Sequence, residues 1–227
     1  MARDRWKPIE RELRKTAGPL IAGMDEVGRG PLAGPVVVCA VIMPPEQRAI
    51  PGVDDSKRLS ADARQRLAKK IRERAVTFGI GAASVREIDR HNIYQATVIA
   101  MRRALSRLSV TPNHLLVDGK PFRTLETPHT AIVGGDDKCY TIACASIIAK
   151  VTRDRIMHAL AVRHPNYRWE RNVGYSTAAH LQLLAAHGPC AHHRRSFMPV
   201  SQLSLDLLAA APLDDIDITD DPNFVGD

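Results

Sequence analysis

The chain has 227 residues, 44% apolar and 25% charged, which suits one globular domain with a sizeable core and excludes a disordered chain. Lys and Arg number 32 against 25 Asp and Glu, but residues 212–227 hold six Asp (Asp214, Asp215, Asp217, Asp220, Asp221, Asp227) and no base, so residues 1–211 carry +13 and should attract a polyanion. No run reaches the roughly 18 apolar residues of a membrane span, no apolar signal core opens the chain, and four cysteines (39, 139, 144, 190) lack CxxC or disulfide-scaffold spacing, so a cytoplasmic protein that meets nucleic acid rather than lipid is expected.

Residues 1–17 read as a basic arm or short helix. LIAGMD (20–25) and PVVVCAVIM (35–43) are apolar and β-branched enough to be strands, separated by a Gly/Pro-rich turn. After a polar loop, Ser60 is positioned to cap a helix running to about Arg74. VTFGIGAASV (76–85) is a third strand, and Ser84 with Glu87 forms a capping box for a long helix whose apolar stripe includes Ile88, Tyr94, Ile99, Met101 and Leu105. HLLVD (114–118) and TAIV (130–133) are short strands; residues 141–164 read as one helix, and a last one runs from Ser176 to Gly188. Strands interleaved with helices give an α/β class with a mixed sheet and a C-terminal helical segment. The expected organisation is an arm (1–17), a body (18–211) and an acidic tail (212–227).

Acidic residues stand where apolar strands run out: Asp25 and Glu26 after LIAGM, Asp118 after HLLV, and Asp136 and Asp137 soon after TAIV. Functional groups of α/β proteins collect at such strand ends, and gathered carboxylates repel unless a divalent cation joins them. Mg²⁺ and Mn²⁺ favour oxygen ligands, and a pair of them can clamp both oxygens of a phosphoryl transfer. Adjacent strand residues face opposite ways, so Asp25 and Glu26 share a site only if the strand ends or twists between them. Gly28-x-Gly30-x-x-Ala33 imitates a dinucleotide-binding fingerprint, yet a strand rather than a helix follows it. Ser146, Lys150 and Arg153 share a helix face, and Arg194, Arg195 and Ser196 form a second basic cluster. Cys190, His192 and His193 suggest zinc but lack a second ligand pair.

MDEVGRGPLAGPVVVCAVI, DDSKRLS, LLVDG, VGGDDK, ASIIAKVTRDR, GYST and HRRSF, in this order over about residues 20–200, resemble bacterial ribonuclease HII, the type 2 ribonuclease H. The resemblance implies a ribonuclease H-like fold, a mixed β-sheet flanked by helices. It also implies two-metal-ion hydrolysis of the RNA strand of RNA/DNA hybrids and cleavage 5′ of single ribonucleotides in duplex DNA, leaving 5′-phosphate and 3′-hydroxyl ends. The expected partners are therefore RNA/DNA hybrid and ribonucleotide-containing duplex DNA, the cofactors two Mg²⁺ or Mn²⁺ ions, and the protein a monomer. Asp25, Glu26, Asp118 and Asp136 match the family's metal-binding, catalytic carboxylates. Gly28, Arg29 and Gly30 match the turn that senses the ribose 2′-OH, and Tyr175 the tyrosine at the RNA-to-DNA junction. Lys57, Lys150, Arg194 and Ser196 match phosphate contacts or residues supporting them. Val173, where the family carries a base, and Tyr140, where it carries a small residue, depart from the pattern.

Overall fold

The computed structural model describes residues 6–203; the acidic tail lies outside the described residues. A five-stranded sheet is built from β1 (Ile21–Val27), β2 (Val36–Ile42), β3 (Thr77–Ala83), β4 (His114–Asp118) and β5 (His129–Ile132), in the order β3-β2-β1-β4-β5. The first three strands form an antiparallel meander, whereas β1–β4 and β4–β5 are parallel. Every residue of β2 is buried because both its faces are covered, which explains its unbroken apolar run. Edge strand β3 alternates buried and half-buried residues instead.

One face of the sheet packs on α2 (Ala61–Arg74) and α5 (Tyr140–Arg163) through Cys39, Val41, Ile71, Cys144 and Ile148. The other packs on α3 (Val85–Leu105) through Met24, Val38, Ile88, Met101 and Val117. Close approach needs small residues at the crossings. A Cβ on Gly23 would stand 2.2 Å from the Thr141 carbonyl carbon of α5, and one on Gly81 1.9 Å from Ala100 O of α3. Helix α1 (Lys7–Thr16) is tied to α5 by the buried Glu10, whose carboxylate accepts from Thr141 N (2.8 Å) and Thr141 Oγ1 (3.0 Å). That satisfies donors at the N-terminus of α5. Tyr140 fills the space beside Trp6, and its hydroxyl accepts from Ile50 N at 2.9 Å.

Two local expectations change. The long helix α3 is broken at Asn92 (φ 65°, ψ 166°), whose side chain accepts from Gln95 N and starts the helix afresh. The final helix, α7 (Ala178–His187), is capped by Thr177 rather than Ser176, because the Thr177 hydroxyl accepts from His180 N. Short helices α4 (Gly135–Lys138) and α6 (Trp169–Asn172) stand in segments to which the sequence assigns no element. Among the described residues no helix is long and apolar enough to cross a membrane.

Candidate active site

The parallel register pairs Met24 with Val117, so the next residues, Asp25 and Asp118, emerge side by side where β4 ends. β1 itself does not stop between Asp25 and Glu26: its pairing with β2 continues through Val27, with Asp25 opposite Cys39 and Glu26 opposite Val38. The two carboxylates therefore leave opposite faces of one strand. They share a neighbourhood because β4 has ended, leaving open the space beside the end of β1. Asp118 Oδ1 accepts from Gly135 N at 2.6 Å, which fixes α4 and brings the buried Asp136 to the same strand ends.

Electrostatics tie the group together. Burial, then the charges of Glu26 and Asp118, push the Asp25 carboxyl well above the usual range, against hydrogen bonds from Ser146 and from Glu26 N. Burial raises Glu26, opposed by Arg29, and burial with Asp118 raises Asp136, opposed by Lys57. Arg29 Nη1 lies 3.2 Å from Glu26 Oε1, and Lys57 Nζ 3.5 Å from Asp136 Oδ2. Glu26 Oε2 is buried with no hydrogen-bond partner, an arrangement that ordinarily demands explanation. The donor set is all oxygen, short of positive charge and has an unused buried oxygen, which suits a hard divalent cation. Among the described residues no three His, Cys, Asp or Glu side chains stand close enough together to be metal ligands as they are placed, and Glu26 and Asp136 are engaged by Arg29 and Lys57.

The expected binding residues divide into two groups. Gly28 (φ +91°) is part of a crowded turn, since a Cβ there would lie 2.1 Å from Arg153 Nε, whereas Gly30 has open space beside it. Arg29 is exposed, with its guanidinium 5.6 Å from the Phe122 ring centroid. Tyr175 is exposed (42%) on a loop whose backbone is fixed from below. Trp169 Nε1–H donates to His180 Nε2, so the His180 proton resides on Nδ1 and is donated to Tyr175 O at 2.8 Å. Lys57 is exposed beside Asp136, and Lys150 is half-buried in an ion pair with Asp154 (2.7 Å).

Arg194, expected either to contact phosphate or to support residues that do, lies where only the supporting part is open to it. It has no exposed surface and donates to the backbone carbonyls of Gly28, Arg29 and Gly34. Arg153, expected on an open basic face, is equally buried and donates to Ala33, Pro35 and Val173 carbonyls. Ser196 Oγ donates to Asp89 at 2.6 Å, so it secures its own loop. Cys190 and His193 do meet, but His193 Nδ1 accepts from Cys190 N (3.1 Å) and Nε2 faces His180 (3.2 Å), leaving both ring nitrogens occupied. Sequence reasoning missed Asp89, His180 and Ser56, whose hydroxyl meets that of Ser146 at 2.9 Å. A polar Ser146 inside an apolar helical run was the available signal for the last.

A family model described as Ribonuclease HII matches residues 22–200. Ribonuclease HII of Granulibacter bethesdensis is 52% identical over 205 residues, covering 88% of this chain and 94% of that protein. That of Gluconobacter oxydans is 53% identical over 194 residues, covering 84% and 94%. In three dimensions the ribonuclease H2 of Pyrococcus horikoshii superimposes with a TM-score of 0.69 at 26% identity, over 83% of this chain and 99% of that one. With the mixed sheet and the carboxylates at its strand ends, these matches establish that the chain belongs to the ribonuclease HII family, the type 2 ribonucleases H.

Proposed function

We propose that this ribonuclease H hydrolyses the RNA strand of RNA/DNA hybrids and cuts 5′ of single ribonucleotides in duplex DNA, leaving 5′-phosphate and 3′-hydroxyl ends. The observation that carries the proposal is the gathering of Asp25, Glu26, Asp118 and Asp136 from β1, β4 and α4, with three of their carboxyls raised and one buried oxygen unpartnered. Two Mg²⁺ or Mn²⁺ ions held by these four side chains would supply Lewis-acid activation of water and stabilisation of the leaving 3′ oxygen. The protein's own part is to hold four acids at neighbouring strand ends, with Ser146 orienting Asp25 and Gly135 N orienting Asp118. Lys57 and Lys150, near the carboxylates and along α5, suit phosphate oxygens. The Gly28–Arg29–Gly30 turn and exposed Tyr175 suit the ribose 2′-OH and the adjoining sugar, where a bare ring can stack. This reading places a monomer in the cytoplasm, removing ribonucleotides and RNA primers from DNA.

The test incubates duplex DNA containing one ribonucleotide with the protein and Mg²⁺ or Mn²⁺, with all-DNA and all-RNA duplexes as controls. Metal-dependent cleavage 5′ of the ribonucleotide, with both controls intact, is expected. Asp118→Asn should abolish cleavage while hybrid binding persists; substantial metal-dependent turnover in that variant would defeat the carboxylate assignment. Tyr175→Ala should lose more activity on the single ribonucleotide than on a long hybrid, and equal losses would count against a junction-reading role.

A further inference from the structure

The segment between β1 and β2 carries the Gly28–Gly30 turn and has little regular structure, so its buried carbonyls need donors from elsewhere. Two arginines supply them. Arg194 donates Nε and Nη2 to Gly34 O (3.0 and 2.8 Å), Nη1 to Arg29 O (2.9 Å), and Nη2 also to Gly28 O. Arg153, midway along α5, donates Nε to Pro35 O (3.0 Å), Nη2 to Ala33 O (2.9 Å) and Nη1 to Val173 O (2.9 Å). Each of these bonds runs to a main-chain carbonyl, not a carboxylate. Backbone bonds close the unit further: Leu32 N to Gly174 O (2.8 Å), Gly34 N to His192 O (2.9 Å) and Arg194 N to Leu32 O (2.8 Å). There is no spare volume, since a Cβ on Gly174 would lie 2.7 Å from Ala33 O.

Two buried neighbouring cations are a costly way to fill a core. Burial, then the charge of Arg153, lowers the Arg194 pKa to about 9, and well-packed apolar residues often serve stability as well or better. What the guanidinium offers is a rigid fork of donors that reaches several carbonyls at once. Arg153 spans two loops, taking carbonyls from the 28–35 segment and from Val173, two residues before Tyr175. From α3, Asp89 accepts from Arg195 N (3.1 Å), Ser196 N (3.0 Å) and Ser196 Oγ (2.6 Å), anchoring the segment from which Arg194 projects. We infer that Arg153 and Arg194 are positioning residues that fix the separation between the Gly28–Gly30 turn and Tyr175, with Asp89 anchoring Arg194 from outside. This rests on the junction-reading role proposed above for that turn and tyrosine. Specificity for the ribonucleotide junction then depends on residues that never touch the nucleic acid.

The test is a double-mutant cycle between Arg153→Lys and Tyr175→Ala, read as kcat/KM on duplex DNA with one ribonucleotide in Mg²⁺, with hydrogen exchange of 28–35 and 173–177. Lysine keeps the charge, but one ammonium cannot span carbonyls of both loops. Each single change should cost about 10- to 100-fold, as small misplacements of positioning groups do. The double variant should fall within about threefold of Tyr175→Ala alone, because the arginine acts through the tyrosine. Exchange should quicken in both loops. Losses that multiply, or exchange that quickens on one side only, would overturn the inference. If Arg153→Lys does not fold, Asp89→Ala at a half-buried position carries the test. It should lower kcat/KM about three- to tenfold and loosen 28–35, and an unchanged kcat/KM would overturn the inference. A wild-type protein that leaves the single-ribonucleotide duplex uncut overturns the junction reading instead.

Discussion

Asp25 shows what the site costs the fold. Its carboxyl is buried beside Glu26 and Asp118, and these raise it well above the usual range. A carboxyl raised in the folded state carries no penalty below its unfolded value of 3.8, and the penalty grows as pH rises through the folded value. At neutral pH without metal, Asp25→Asn should therefore stabilise the protein by about 1–2 kcal/mol, since activity and stability trade at such positions. The gain should shrink towards pH 4 as the wild-type carboxyl takes up its proton. Mg²⁺ should raise the wild-type melting temperature more than that of the variant. Melting curves in EDTA and in Mg²⁺ check all three, and a variant less stable than wild type in EDTA would count against the charge crowding. The acids themselves were legible, because a carboxylate directly after an apolar strand is chemically conspicuous. Which of its two expected parts Arg194 plays was not: only the convergence of carbonyls from positions 28, 29 and 34 shows that it faces inward and supports the turn.

Helix α3 illustrates how elements carry these residues. Ser84 and Glu87 form the full capping box expected from their spacing, and Arg103 adds a 2.7 Å ion pair to Glu87. The break at Asn92 was legible only as an imperfection: Ile88 and Tyr94 are six apart, out of step with a continuous helical stripe. At φ 65° and ψ 166° Asn92 adopts a backbone conformation that is essentially glycine's. It is held there by its side-chain cap on Gln95 N. Asn92→Ala keeps the strain and loses the cap, so a loss of about 1–2 kcal/mol is expected, or a melting temperature lower by about 2–8 °C. Asn92→Gly relieves the strain while losing the cap and should be nearly neutral. Thermal melts that place Gly at or below Ala would refute this account. The break matters to the site because Asp89, on the first half of the helix, holds the 195–196 loop. The last helix cap, Thr177 instead of Ser176, shows where sequence runs out: two adjacent hydroxyls satisfy the same rule, and only backbone geometry chooses.

Over the whole molecule, charge had a coarser meaning in the sequence than in the fold. Residues 1–211 carry +13, but Arg153 and Arg194 are buried, Arg29 and Lys57 are ion-paired to site carboxylates, and Lys150 is ion-paired to Asp154 on its own helix. The basic composition thus serves partly to build the scaffold and partly to meet nucleic acid. Stability against pH divides in the same way. Burial, then the charge of His180, lowers the His193 pKa to about 3, and burial lowers His180. A histidine depressed in the folded state supports stability above its unfolded value of 6.5 and withdraws it as pH falls towards the folded value. The site carboxyls act in the opposite sense, easing their penalty as they protonate. Between pH 7 and 5 His193 alone should withdraw about 2 kcal/mol, because the unfolded chain takes a proton that the folded one refuses. His193→Asn would cost stability at neutral pH by breaking the bonds to Cys190 and His180, yet it should flatten the loss on acidification. Denaturant titrations in EDTA at pH 7, 6 and 5 separate the two effects. Parallel pH curves for wild type and variant would show that the buried imidazole is not what limits the fold in acid.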